Sequence, residues 1–240
     1  MPRFFVQHAD PGQIILTGED AHHIGHSLRM RTGEMLTVCS GGMDYACEII
    51  RMTETEIFLH PVRITPCVSE PDISVTLYQA MPKQDKLAEI IQKSVELGVS
   101  EIVPVLTTRC IARPSVSDFE KKRQRLQKIA LSAAKQSGRG MIPKVKHLIS
   151  WKEMLADSQK QDLNLMLYEQ QGGMRFEQAL VPGKKKISLF IGSEGGISPE
   201  EAKEAVSAGF CSVWLGNRIL RCETAPTAAL AILMYLTKNM

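Results

Sequence analysis

Three glycine-bearing loops each follow a run of residues suited to a buried strand: Tyr168-Glu169-Gln170-Gln171-Gly172-Gly173, Ile191-Gly192-Ser193-Glu194-Gly195-Gly196, and the longer Leu215-Gly216-Asn217-Arg218-Ile219-Leu220-Arg221-Cys222-Glu223-Thr224-Ala225. In open parallel sheets ligands bind beyond the carboxyl ends of the strands, so the three loops could wall one pocket. A glycine in that place is otherwise a turn or a close approach of a helix. Gly192, Gly195 and Gly196 lack the Gly-x-Gly-x-x-Gly spacing of dinucleotide folds, and no glycine-lysine-serine or glycine-lysine-threonine closes a phosphate loop. His22 and His26 stand one helical turn apart, as metal ligands can, yet no cysteine or carboxylate offers an obvious third ligand. No metal is expected.

The elements that must position these residues fall into two regions. Residues 13–16, 35–39, 45–51 and 56–62 read as short strands punctuated by Gly33 and Gly41-Gly42, which fits a small β-barrel. One helix interrupts them, opening at Gly18-Glu19-Asp20 with Ala21, Ile24 and Leu28 on one side. Residues 64–72, with Pro66 and Pro71, break both periodicities and divide the chain into domains 1–70 and 71–240. From residue 74 strands and helices alternate. Strands are expected at 74–80, 101–106, 163–168, 187–191 and 211–215. A helix over 84–97 places Leu87, Ile90, Ile91 and Val95 on one face and ends at Gly98. A basic helix starts at a Ser117/Glu120 capping box and stops at Gly138; another opens at Ser198, Pro199 and Glu201 and closes at Gly209; a last one covers 226–236. This alternation implies an α/β fold with a mostly parallel sheet.

Bulk properties set further bounds. The six cysteines contain no Cys-x-x-Cys pair, so they read as small apolar residues rather than a disulfide framework or zinc knuckle. The apolar run Phe4-Phe5-Val6 is too short for a signal peptide or a membrane span, so a cytoplasmic chain with no membrane partner is expected. The net charge of +3 is small but unevenly spread: no acidic residue occurs between Glu120 and Glu153, whereas Lys121, Lys122, Arg123, Arg125, Lys128, Lys135, Arg139, Lys144 and Lys146 all fall there. That segment reads as an electropositive surface or as a solvated helix face.

The Gly192-Ser193-Glu194-Gly195-Gly196 loop followed by Leu215-Gly216-x-Arg218-Ile219-Leu220-Arg221-x-Glu223-Thr224-Ala225 resembles the paired signature of the trefoil-knot (SPOUT) RNA methyltransferases, and within them the family that makes N3-methyluridine in 16S ribosomal RNA. Glu96-Leu97-Gly98-Val99, Gln136-x-Gly138-Arg139, Arg3-Phe4-Phe5 and Leu28-Arg29-x-Arg31-x-Gly33 resemble the same family's pattern, so the likeness spans nearly the whole chain. Ser193 stands where proline is usual, and Cys222 lies inside the arginine-glutamate motif.

The resemblance implies a PUA-like β-barrel before a SPOUT domain whose C-terminal segment is threaded as a knot, an exception to the rule that chains stay unknotted. It implies S-adenosylmethionine as cofactor, 16S rRNA in the small ribosomal subunit as substrate, and a homodimer. The cofactor residues it implies are Leu167, Tyr168, Glu169, Ile191, Gly192, Glu194, Gly195, Gly196, Leu215, Gly216, Ile219, Leu220, Arg221, Thr224 and Ala225, with Ile197 as a further apolar wall. Methylating N3 of uracil requires its proton to leave, so a positive group must favour the uracil anion. Arg3, Arg139 and Arg221 are the candidates, with Glu223 as proton acceptor or as anchor of Arg221. Arg3, Arg29, Arg31, Lys83, Lys122, Arg125 and Arg139 are the expected phosphate contacts. The competing readings are a non-catalytic RNA-binding assembly protein and a methyltransferase acting on transfer RNA.

Overall fold

The computed structural model describes residues 1–168 and 173–240. By internal contact the chain divides into Met1–Glu70 with Ala134–Met141, and Pro71–Ala133 with Ile142–Met240. A purely sequential cut at residue 70 therefore omits a return segment that packs with the first unit.

Period-two patterning builds the first unit. Its strands are β1 (Arg3–Phe5), β2 (Ile14–Thr17), β3 (Met35–Ser40), β4 (Met43–Met52) and β5 (Glu56–Pro66), in the order β1-β3-β4-β5-β2. Ile14 and Leu16 are buried while Ile15 and Thr17 face outward, as strict alternation dictates. β1 was not anticipated, and β5 runs four residues beyond the expected end despite Pro61. The register shifts between Ala46 and Cys47, whose partners are Arg63 and Pro61, so Val62 is an extra residue of β5 beside the proline. Phe4, Ile24, Leu36, Val38, Ile49 and Leu59 form the core.

The expected helix is present as α1 (Gly18–His22), but it widens into a π-type turn over His23–Ser27, where the Leu28 N–H donates to His23 O five residues back at 2.9 Å. The wider turn rotates everything beyond it. Ala21 and Ile24 are buried, while Leu28, placed on the same face by a regular helical period, is 39% exposed.

The second unit alternates strand and helix. Its elements are β6 (Ser74–Ala80), α2 (Lys86–Glu96), β7 (Glu101–Leu106), α3 (Val116–Ser137, whose end from Ala134 belongs to the first unit), β8 (Lys144–Val145), β9 (Ile149–Ser150), α4 (Trp151–Ser158), β10 (Leu163–Leu167), α5 (Phe176–Ala179), β11 (Lys186–Ile191), α6 (Pro199–Ser207), β12 (Phe210–Val213) and α7 (Thr224–Leu236). The strands pair in parallel in the order β12-β10-β11-β6-β7-β8, with β9 also on β7. The α/β expectation holds, and β6 is buried along nearly its whole length, as a strand covered on both faces must be.

Local chemistry fixes the helix ends. Gln84 has a left-handed φ of 55°, so α2 starts at Lys86 rather than at the expected residue 84. α3 is capped by Ser115, whose Oγ accepts from the Asp118 N–H at 3.1 Å; the expected Ser117/Glu120 box does not form, because Glu120 pairs with Arg123 at 2.8 Å and with His147 at 2.7 Å. Ser198 and Glu201 do make the expected capping box on α6.

One feature of the order decides where chemistry can occur. The chain passes from β11 back across β10 to lay β12 on the far side. The carboxyl ends of β12, β10 and β11 are therefore adjacent, and the loops that follow them converge.

Candidate functional site

The converging loops enclose a cleft of about 480 Å³. Its lining includes Leu167 and Tyr168 after β10; Ile191, Gly192, Ser193, Gly196 and Ile197 after β11; and Trp214, Leu215, Gly216, Asn217, Arg218, Ile219, Leu220, Cys222 and Ala225 after β12. Of the residues expected to hold a cofactor, Leu167, Tyr168, Ile191, Gly192, Gly196, Leu215, Gly216, Ile219, Leu220 and Ala225 lie on it. Glu194, Gly195, Arg221 and Thr224 do not, and Glu169 lies outside the described residues. Ser193, Val213, Trp214, Asn217, Arg218 and Cys222 also line it and were not among the expected cofactor residues. β12 stops at Val213, two residues short of the expected end, so Trp214 and Leu215 both belong to the loop.

Packing explains the glycines of the middle loop. A Cβ on Gly192 would stand 3.1 Å from the Gly196 carbonyl carbon and 3.1 Å from Ile197 Cγ1, so the loop folds onto itself only with hydrogen there. Gly195 meets another segment: its Cβ would lie 2.8 Å from Arg109 O, while Arg109 Nη1 donates to Gly195 O at 3.2 Å. From behind, the fully buried Gln79 at the end of β6 donates from Nε2 to Gly192 O at 3.3 Å. These contacts hold the loop in one shape.

Charge is concentrated where α2 begins. Lys86 Nζ lies 3.1 Å from Glu194 Oε1 and 3.1 Å from Glu223 Oε2, and Glu194 also accepts the Lys83 N–H at 3.1 Å. Hydrogen bonds to Glu223 and then Glu194 raise the Lys86 ammonium above its ordinary range. Partial burial pushes both carboxyls up, but backbone N–H groups and Lys86 outweigh it and hold them below the usual carboxylate range. Cys222 donates to Glu223 at 3.2 Å; burial, then that carboxylate, pushes the thiol up to about 12. The anchor of Glu223 is thus Lys86, not Arg221. Arg221 is exposed and forms no ion pair among the described residues.

Two other arginines expected at the reacting base are committed elsewhere. Arg139 is 2% exposed and forks onto Glu70 with Nε at 2.9 Å and Nη2 at 2.8 Å. Arg3 forks onto Asp44 at 2.8 and 2.6 Å and donates to Arg139 O at 3.3 Å. Burial alone would raise the Asp44 carboxyl, but the Arg3 hydrogen bonds hold it low. Neither guanidinium lines the cleft, and a fork already filled by a carboxylate has no donors left in that geometry for a phosphate. Arg29, Arg31, Lys83, Lys122 and Arg125 are exposed, Arg125 with Asp85 at 3.9 Å. Much of the basic segment is neutralised locally, since Lys121, Arg123, Lys135 and Lys146 each have a carboxylate partner. His22 and His26 stack with ring centroids 4.3 Å apart.

The class follows from the fold and the cleft together with two family models: residues 69–234 match the RNA methyltransferase domain, and residues 16–62 match the RNA methyltransferase PUA domain. The chain is 32% identical to ribosomal RNA small subunit methyltransferase E of Bacillus subtilis (strain 168), covering 99% of this chain and 98% of that one. It is 30% identical to the protein of the same name from Mesomycoplasma hyopneumoniae (strain 232), over 94% and 95% of the two chains. A crystal structure of ribosomal RNA small subunit methyltransferase E from Neisseria gonorrhoeae bound to S-adenosyl methionine superposes with a TM-score of 0.86 at 31% identity, covering 98% of each chain. The chain belongs to the ribosomal RNA small subunit methyltransferase E family.

Proposed function

We propose that this chain transfers the methyl group of S-adenosylmethionine to N3 of one uridine of 16S rRNA in the small ribosomal subunit, as a cytoplasmic homodimer whose C-terminal strand and helix are threaded as a knot. The observation that carries the reading is the convergence of three loops at the carboxyl ends of β10, β11 and β12 on one cleft. Its volume of about 480 Å³ suits a ligand of that size. The residues fit the cofactor's chemistry: main-chain groups of Tyr168, Gly192, Leu215 and Leu220 offer donors and acceptors, Ile191, Ile197 and Ala225 offer apolar walls, and Gly192 lets the loop after β11 fold back on itself to shape the cleft. When bound, S-adenosylmethionine supplies an activated methyl carbon.

The protein's own part is position and charge. N3 of uracil would attack only once its proton has passed to solvent, the new N–CH3 bond replacing the cofactor's S–CH3 bond with S-adenosylhomocysteine as the leaving group, so a cation near the base lowers the cost of the anion. Arg221 is the residue for this role, being adjacent in sequence to Leu220 and Cys222 of the cleft and free of an internal carboxylate. Glu223, held by Lys86, acts on the loop rather than on the proton. Exposed Arg29, Arg31, Lys83, Lys122 and Arg125 supply phosphate contacts that set register without reading sequence. No helix among the described residues is long and apolar enough to cross a membrane.

The test is incubation of the chain with labelled cofactor and small subunits lacking the modification, followed by mass analysis of the nucleosides. N3-methyluridine is the expected product, and Arg221→Ala should abolish it while cofactor binding by calorimetry persists. Label in another nucleoside, label in transfer RNA, or a chain that does not bind the cofactor overturns the reading.

A further inference from the structure

Lys86 opens α2, an element that contributes no residue to the cleft lining, yet its ammonium group touches two of the three loops that shape it. Glu194 belongs to the loop after β11, between the lining residues Ser193 and Gly196; Glu223 ends the segment after β12, between the lining residues Cys222 and Ala225. Lys86 Nζ is 3.1 Å from each carboxylate and 4.0 Å from Cys222 Sγ. Two carboxylates facing one another repel; a cation between them turns that repulsion into a tie. The N–H of Lys83 also binds Glu194, so the loop after β11 is fastened to the start of α2 at two points. The side chains of Lys86, Glu194 and Glu223 are 27%, 23% and 15% exposed, so the charges are only partly screened by water.

We propose that Lys86 is a positioning residue of the cofactor cleft, setting the separation of the loops after β11 and β12 by bridging Glu194 and Glu223. The inference rests on the cleft being the S-adenosylmethionine site. Lys86 itself need not touch the cofactor: it holds the loop backbone in the spacing that the ligand requires, so the free chain does not have to order the two loops on binding.

The experiment is calorimetric titration of the full chain with S-adenosylmethionine at low and high salt. Replacing Lys86→Met should raise Kd about threefold to tenfold at low salt, the worth of one or two partly screened ion pairs. Lys86→Arg should restore most of the affinity, and Lys93→Met, which removes the exposed Lys93–Glu89 pair of the same helix, should bind as the native chain does. The ratio of K86M to native Kd should shrink toward one at high salt, which a packing defect would not produce. Glu194→Gln, an isosteric change that spares folding, should weaken binding in the native background and add nothing to K86M. The proposal fails if K86M binds normally at low salt, if K86R is no better than K86M, if the ratio is indifferent to salt, or if the two substitutions add. A native chain that does not bind S-adenosylmethionine at all would instead sink the reading of the cleft.

Discussion

A guanidinium whose fork is filled by a carboxylate inside the fold has structural work, and Arg139 is such a group. Its partner Glu70 also accepts the N–H groups of Gly140 and Met141 at 2.8 and 3.0 Å, so one carboxylate gathers the arginine and the backbone of the segment that returns to the first unit. Deleting one member of a buried pair leaves the other charged and uncompensated, at a cost of about 3–5 kcal/mol. Arg139→Ala should therefore lose about that much stability in denaturant unfolding. Below its transition it should still bind S-adenosylmethionine, since Arg139 does not line the cleft. A variant of native stability that has lost turnover would return Arg139 to the chemistry. From sequence the two arginines 139 and 221 look alike, each within a glycine-rich or motif-bearing stretch. What separates them is a carboxylate 69 positions away, and residue spacing does not reveal a contact at that range. The partner of Glu223 was hidden in the same way: Arg221, two residues off, is the obvious neighbour in the chain, whereas Lys86 is the neighbour in space.

Elements were legible where a repeat was long enough to be seen. An apolar run marked β6, short runs bounded by Gly33 and Gly41-Gly42 marked β3 and β4, a helical period marked α2, and Ser198 with Glu201 marked the start of α6, because each pattern reflects a face that must be buried, a turn, or a donor that must be satisfied. The short pieces β8, β9 and α5 carry no repeat to detect, and the π-type turn after α1 disturbs the very period by which a helix is recognised. The glycine loops were found by type, but the reason for Gly195 was not visible: it gives way to the Arg109 carbonyl rather than to a ligand. That distinction is testable. In Gly195→Ala the new methyl group would sit 2.8 Å from a backbone oxygen, so the loop must move. The expected result is a stability loss of about 1–3 kcal/mol together with weaker S-adenosylmethionine binding by calorimetry. At Gly183, where a Cβ meets nothing within 4 Å but φ is +85°, alanine should cost stability through backbone strain and leave cofactor affinity unchanged. Equal affinity for G195A and the native chain would detach this contact from the shape of the cleft.

At the scale of the molecule, the sequence announced the alternation of strands and helices but not their order, since β12 lies beside β10 through a crossing that no local pattern encodes. That crossing is what unites the three loops. Ile219 lines the cleft and yet is 81% exposed; on α7, Tyr235 is 73% exposed and Ile232, three residues before it, 36%, although Leu230, Leu233 and Met234 of the same helix are buried. Scattered exposed apolar residues are ordinary, but an apolar wall of a ligand cleft left in water gives a ligand little. A second copy of the chain would cover it and complete the site, and a twofold interface would use the same patch on both subunits. Sedimentation velocity at micromolar concentration should therefore report a dimer, and Tyr235→Glu, which places a charge on the exposed face of α7, should shift it toward monomer if that face belongs to the interface. A native chain that sediments as a monomer while binding the cofactor at full affinity would mean that one chain closes the cleft by itself and that Ile219 moves onto the ligand.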